Sequence, residues 1–475
     1  MDLQAQIDQL RAELRAKDAL IAKQAEQIAQ LLKQVEALTE QLNRNSRNSN
    51  RPPSSDPPAS PGRGGKGKKR QPNRKRGGQV GHSGSHRALV PEDQVTEFVD
   101  VFPARCENCW ETLPEIPDPD ARRYQVTEVP PLSPEITEFR RHGVKCVRCG
   151  HTTRVSFAES EIPRSAFGPR LMSLVALLTG VYHVSRRKTA QLLSDMVGAR
   201  LSLGSISAIE ERVSNALSPA VAEVWEHVQG ADIKHTDGTS WLKSGVSQSL
   251  WTLASSTATA FKIVTNSSRA MLKPLFGAMQ GILVSDRAKA LRFWAMERRQ
   301  VCWAHLLRRF VSFSERAGPA GRYGRELLTY TGILFEYWHD YKAGKLDRAT
   351  FRAWMAPVRI QVEYLLMRAA NAKIGRLSGS CADMLAHKDA LWTFIDHDGV
   401  EPTNNHAERE LRAFVLWRKR SFGTQSDRGN LYAERLMTIA HTARKQNKDI
   451  LTFLTACCEA HLAGEMSPSL FTAAA

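Results

Sequence analysis

From Leu3 to Leu42 apolar side chains recur at alternating spacings of four and three: Leu3, Ile7, Leu10, Leu14, Ile21, Ile28, Leu31, Val35, Leu38 and Leu42. Only Lys17 and Gln24 break the register. A mean spacing of about 3.5 keeps one seam toward a partner helix, so the pattern predicts a coiled coil of about six heptads over residues 1–43. Ile and Val fall mostly at one seam position and Leu at the other, which favours a parallel pair. The alternative is an amphipathic helix folded onto the chain's own body. The solvated segment that follows argues against it, and we read a dimerisation helix.

The pattern changes three more times. Residues 44–90 are Asn, Ser, Pro, Gly and basic residues, which cannot bury enough apolar surface to fold, so they read as a disordered linker. Over residues 161–218 the period is helical. Leu171, Leu174, Val175 and Leu178 share a face; Ser185 caps a second helix that ends at Gly198; a third helix follows, with Ser207 and Glu210 at capping-box spacing. Helix, Gly-containing turn, helix is the form of a helix-turn-helix, with Arg186, Arg187 and Lys188 placed for phosphates; an ordinary helical hairpin fits the pattern too. From Ala231 the period falls to two. The segments ADIKHTDGTSW, SLWTLASS and AFKIVTN read as a meander, then RAMLKPLFGAM as helix, GILVSD as a buried strand, and RQVCWAHLLRRF as a last strand running into a helix.

Charge narrows the partners. Lys and Arg total 66 against 49 acids, a formal net charge of +17. Nine of those bases and no acid lie between Asp56 and Glu92. Such a balance fits a polyanion and salt-sensitive phosphate contacts. The longest apolar run, Leu171 to Tyr182, is well short of the ~20 residues a membrane span needs. Nothing at the N-terminus resembles an export signal, and eight cysteines are too few for a disulfide scaffold. The expected setting is the reducing cytoplasm, at the nucleoid.

Half of those cysteines are paired, Cys106-x-x-Cys109 and Cys146-x-x-Cys149, with 36 residues between the pairs. Two such knuckles complete a four-sulfur Zn²⁺ site, structural because no coordination position stays open. We place this zinc-binding domain at residues 91–160.

Meander, helix and parallel strand is the order of a ribonuclease-H-like sheet. In it, Asp237 at the end of the first strand and Asp286 at the end of the fourth become neighbours, as a pair of divalent ions requires. The chain also resembles a DDE transposase of insertion-sequence family sixty-six. The resemblance is carried by the coiled coil and linker, GGQVGH, the cysteine pairs, FGPRLMSLVALLTGVYHVSRR, LSLGSIS, HTDGTSW, LVSDRAKA, CWAHLLRR, and PTNNHAERELR with FGTQSDRG. It implies a metal-dependent enzyme that joins its element's ends to target DNA, and a third acid at Glu408. The residues agree: with Thr403 as cap, Asn405, Glu408 and Arg412 share one helix face, while Glu410 points away. The chain departs from the family's pattern at Gly238, where Glu is usual, and at Arg287 and Ala288, where Gly and an aromatic are usual.

The expected fold is therefore multidomain α+β. A coiled coil, zinc ribbon and helix-turn-helix precede a ribonuclease-H-like catalytic domain (219–312 and 396–461), interrupted by a helical insertion at 313–395 and followed by a tail at 462–475. Asp237, Asp286 and Glu408 would hold Mg²⁺ or Mn²⁺; Asn405 and Arg412 are candidate DNA contacts; His305 is either a metal or phosphate ligand or a core histidine. The expected partners are the double-stranded DNA of the terminal repeats and target, a second or further copy of the chain, and element-encoded helper proteins. A DNA-binding repressor without catalysis and a nuclease without strand transfer are the rival functions.

Overall fold

The computed structural model describes residues 3–49, 88–155, 162–163 and 165–471. Most of the basic linker lies outside them. Helix α1 (Leu3–Leu42) is continuous, and its seam residues Leu10, Leu14, Ile21, Ile28, Leu31, Val35 and Leu38 are all exposed. None of them is buried on the chain's own body.

The cysteine region contains the hairpin β1 (Gly143–Lys145) and β2 (Thr152–Arg154) and little other regular structure. Phe98, Val101, Trp110, Tyr124, Val126 and Ile136 are exposed, so the segment has no apolar core of its own among the described residues.

Helices α2 (Pro169–Ala176), α3 (Arg186–Val197), α4 (Leu203–Ala216) and α5 (Ser218–Gly230) follow, with a π-turn at Leu177–Val181. Ser185 caps α3 by accepting the Lys188 N–H, and Gly198 closes it in the left-handed region. The cap of α4 is Ser202, which accepts from the Ser205 N–H; Ser207 and Glu210 lie inside the helix, so the expected capping box does not form. Both serines satisfy the local rule, and the helix starts at the earlier one. Met172, Val175, Ile206, Ile209 and Val213 bury α2 and α4 in one core with Leu436, Ile439 and Leu454 from the last two helices.

A five-stranded sheet forms the centre: β3 (Ile233–Lys243), β4 (Val246–Ala254), β5 (Thr259–Val264), β6 (Ile282–Ser285) and β7 (Arg299–Val301), in spatial order β5-β4-β3-β6-β7. β3, β4 and β5 form an antiparallel meander, and β6 and β7 run parallel to β3. Between β5 and β6 lies the short helix α6 (Arg269–Leu272).

After β7 come α7 (Trp303–Ser314), α8 (Gly318–Lys342), α9 (Arg348–Asn371), α10 (Gly375–Leu385), α11 (Lys388–Leu391) and α12 (Thr393–Asp396). Helices α7 to α12 share a core with Val284 and Val301 of the sheet. The chain then returns in α13 (Asn405–Ser421), α14 (Asp427–Lys445) and α15 (Ile450–Ala463). On α13, Leu411, Phe414 and Trp417 pack against Trp241, Leu250 and Phe261, fixing the helix across the sheet.

The FGTQSDRG turn locks that crossing. Gly423 has φ +95° and lies so close to β3 that a Cβ there would stand 2.1 Å from the Leu242 carbonyl oxygen. Thr424 then pairs with β3 through its N–H to Leu242 (2.9 Å) and its carbonyl to the Ser244 N–H (2.8 Å). Ser426 caps α14. Gly423→Ala is therefore expected to cost about 3 kcal/mol or more, combining left-handed strain with a backbone clash. Urea unfolding followed by tryptophan fluorescence measures it; a loss under 1 kcal/mol, a margin on the order of ordinary surface substitutions, would mean the turn relaxes freely.

Candidate active site

The sheet brings the first two acids together through register. Ile233, Lys234 and His235 pair in parallel with Ile282, Leu283 and Val284. Continuing that register by two residues puts Asp237 beside Asp286. Asp237 is not at a strand end, as the sequence suggested: β3 runs on to Lys243, and it is β6 that stops, at Ser285. The carboxylates are pinned locally. Asp237 Oδ1 accepts the Gly238 N–H and Asp286 Oδ1 accepts the Ala288 N–H, each at 2.9 Å. Buried Arg299 donates to the Asp286 carbonyl (2.6 Å) and to Ser285 Oγ (3.1 Å), fixing the end of β6.

Glu408 enters from the first turn of α13. The cap position is occupied by Asn404 rather than Thr403, and its side chain does not cap the helix. It is fully buried and donates from Nδ2 to the Thr236 carbonyl (2.8 Å), next to Asp237 in the chain. Its backbone N–H meets Cys302 Sγ at 3.1 Å, and the Trp303 N–H donates to the Pro402 carbonyl at 2.8 Å. One asparagine thus ties α13, β3 and the start of α7 into a single corner.

The electrostatics are those of crowded acids. Burial, the neighbouring Asp286 charge and Glu408 push the Asp237 carboxyl from 3.8 up to about 7, against the opposing pull of the Gly238 N–H and Arg308. Glu408 Oε1 is buried with no hydrogen bond. His305 Nε2 at 3.9 Å and Arg308 Nη2 at 3.8 Å approach that oxygen, too far for hydrogen bonds. Arg409 and Arg412, the arginines that sequence offered to Glu408, are exposed on α13. Burial holds the His305 imidazole below its ordinary value, with Arg308 adding to the effect and Glu408 opposing it. The Cys302 thiol is pushed up to about 11 by burial and is not a thiolate. Cys302, His305 and Glu408 have ligand atoms within 4.8 Å of one another.

Beside Asp286 a cleft of about 230 Å³ is lined by Asp286, Arg287, Ala288, His305, Arg309 and Asp383. Asp383, on α10, binds Arg287 (2.6 Å) and Arg292 (3.0 Å) and so holds the loop that follows β6. Arg309 makes no ion pair or hydrogen bond with the described residues. Arg308, Arg309 and Asp383 were missed by sequence reasoning. The first two were within reach, since they lie three and four residues after His305 on one helix; Asp383 was not, because its partners are 96 and 91 residues away in the chain. The two departures from the family pattern have local counterparts. A Cβ at Gly238 would stand 2.7 Å from the Trp251 ring, and Arg287 is neutralised by Asp383.

Other predicted residues fare unevenly. Arg186 is not a free phosphate contact: its guanidinium binds Glu210 (Nε 3.0 Å), a buried acid on α4, the second helix of the expected helix-turn-helix. Arg187, Lys188, Asn405 and Arg412 are exposed. The cysteine pairs each fold as a knuckle. Cys106 and Cys146 accept backbone N–H groups from the two and three residues after them, which lowers both thiols. Trp110 and Gly150 then turn the chain in the left-handed region. Among the described residues these four sulfurs do not supply three ligand atoms within 4.8 Å of one another, so the pairs are formed but not joined.

No helix among the described residues is long and apolar enough to cross a membrane. No curated protein matches the chain. Residues 1–88 match a family of unknown function, DUF6444. Residues 164–431, more than half of the chain and including Asp237, Asp286 and Glu408, match the model described as Transposase IS66 family. The chain belongs to the IS66 transposase family.

Proposed function

We propose that the chain is a DDE-type DNA transposase that cleaves the ends of its element and joins them to target DNA, using divalent metal ions held by Asp237, Asp286 and Glu408. The observation that carries this is the convergence of three acids, from within the central strand β3, from just past the end of β6 and from the first turn of α13. The strand order, an antiparallel meander flanked by two parallel strands, supports a ribonuclease-H-like reading of that sheet. The fit to Mg²⁺ or Mn²⁺ rests on the donors: oxygen ligands, one of them a buried orphan, in a site where burial and then the neighbouring acids hold a proton at Asp237 near neutrality.

When bound, such ions activate water or a 3′-hydroxyl and offset charge on the leaving oxygen. The residues supply the rest. Asp237 and Asp286 set the carboxylate spacing through strand register, Asn404 holds Glu408 against them, and Arg309 offers a free guanidinium to a phosphate in the cleft. Arg187, Lys188, Asn405 and Arg412 are exposed for contact with duplex DNA. Helix α1 would pair with the same seam of a second copy. Zn²⁺ would draw the two knuckles together and give order to a region without a core. The exposed positions of α4 include Ala208, Glu211 and Asn215 with one base, Arg212, which donates to Ser165 Oγ, so recognition of the terminal repeats is better carried by the cysteine region and linker.

The test is Mg²⁺- or Mn²⁺-dependent nicking and joining of a labelled duplex bearing the element's ends, with wild type against Asp286→Asn. Metal-dependent nicking that disappears in the variant, followed by joined products, is the expected result. Nicking without joining reduces the function to a nuclease. Binding without nicking, with helper proteins present, transfers it to a repressor.

A further inference from the structure

His305 and Glu408 face each other from two helix starts that the fold ties together. Trp303, buried in the first turn of α7, donates its N–H to Pro402, and Asn404 donates its N–H to Cys302 Sγ. These two bonds fix the N-terminus of α7 against that of α13, so the two side chains do not meet by side-chain flexibility alone. Their nearest atoms, His305 Nε2 and Glu408 Oε1, are 3.9 Å apart. That is beyond a hydrogen bond, yet it suits two ligand atoms that each lie about 2 Å from a shared ion. Glu408 Oε1, the oxygen that faces His305 Nε2, is buried without a hydrogen-bond partner, a costly condition for a carboxylate oxygen in a folded chain that a shared ion would relieve. His305 also lines the cleft that holds Asp286, so its ring lies on the side where the acids gather. Cys302, the third member of the cluster, already accepts the Asn404 N–H and is fully buried.

We propose that His305 is a metal ligand, sharing with Glu408 one of the ions that the three acids hold. The site is then one imidazole and three carboxylates rather than carboxylates alone. This inference rests on the metal-dependent reading above and adds a residue to it. The chemistry has a consequence for which ion is preferred. An imidazole nitrogen favours a borderline ion such as Mn²⁺ over Mg²⁺, whereas an all-oxygen site favours it much less.

The experiment uses the full chain, without DNA, titrated with Mn²⁺ and examined by pulsed electron paramagnetic resonance. Bound Mn²⁺ reports a directly coordinated imidazole through its ¹⁴N modulation, a signal that a merely structural histidine does not give. The expected result is ¹⁴N modulation in wild type that is absent in His305→Gln and in His305→Ala. Mn²⁺ affinity should weaken by about tenfold or more in both variants, with Mg²⁺ affinity less affected. Two variants guard against poor packing in either, and far-ultraviolet circular dichroism confirms the fold of each. Mn²⁺ bound in a manner sensitive to Glu408→Gln, but with no ¹⁴N modulation or with modulation that survives both His305 variants, overturns the assignment and leaves the three-acid site standing. Mn²⁺ binding indifferent to Glu408→Gln overturns both.

Discussion

Asp237→Asn is expected to make the metal-free protein more stable at neutral pH while abolishing its DNA cleavage. The two effects share one cause. In the folded chain the Asp237 carboxyl is pushed from 3.8 up to about 7 by burial, by Asp286 and by Glu408. The folded state therefore holds a proton that the unfolded chain has released, and stability falls as pH rises from about 4 to about 7. Below that window wild type and variant should unfold together. Above it the asparagine has no charge to bury and the variant should be the more stable. The ceiling on the gain is about 4 kcal/mol, reduced by the solvent that reaches the rim of the cleft. Adding Mn²⁺ should stabilise wild type and not the variant, closing the gap. Cleavage should drop by about a thousandfold, the rate equivalent of about 4 kcal/mol. Thermal melts from pH 4 to pH 8, with and without metal, check the first part and a nicking assay the second. A variant no more stable than wild type at pH 8 would show that the acids are not crowded.

Glu410→Gln should act in the opposite sense, and without touching metal. Glu410 lies two residues past Glu408, faces away from the acids and is partly buried. Its carboxylate takes His441 Nδ1 at 2.5 Å and Lys445 Nζ at 3.1 Å, with His406 Nε2 at 3.7 Å. Burial alone would raise its pKa, but the His441 hydrogen bond and the Lys445 charge outweigh it and bring the group down to about 2. A depressed acid stabilises the fold at all pH values above its unfolded value, and that contribution is lost as pH falls from about 4.5 to about 2. The shift corresponds to about 3 kcal/mol. Glutamine removes it at every pH and leaves Lys445 buried without its counter-charge, a loss of about 3–5 kcal/mol for a broken buried pair. Urea midpoints at pH 7 measure the difference. A change below 1 kcal/mol, on the order of an exposed ion pair, would mean that Lys445 finds its compensation in the Ser255 and Ala258 carbonyls.

Much of the site was legible because its signals are local. Asp237 and Asp286 were proposed from strand order, and Glu408 from the family resemblance, with its helical spacing to Asn405 and Arg412 in agreement. Where the outcome depended on contacts between distant segments, sequence failed. Arg186 looked like a phosphate contact because its partner Glu210 is 24 residues away on a neighbouring helix. Thr403 looked like the cap of α13, but Asn404 holds that position, with its side chain taken by Thr236, 168 residues earlier. Ser207 had the capping-box spacing with Glu210, yet α4 starts earlier, at Ser202, because the packing of the helix rather than the local rule sets its first turn. The cysteine pairs show the converse case, each knuckle readable from its own few residues and their meeting not guaranteed by either.

The helices between α7 and α13 are an interruption only on paper. Thr393 and Phe394 bond the edge strand at Arg299 and Gln300, Trp303 bonds the Leu391 carbonyl, and Asp383 grips the loop that leaves Asp286. A minimal catalytic core cannot therefore be made by cutting them out and joining the ends. Such a trimmed chain would keep all three acids and lose the scaffold that aims one of them. In this protein the shortest working version and the shortest version with the right residues are different molecules.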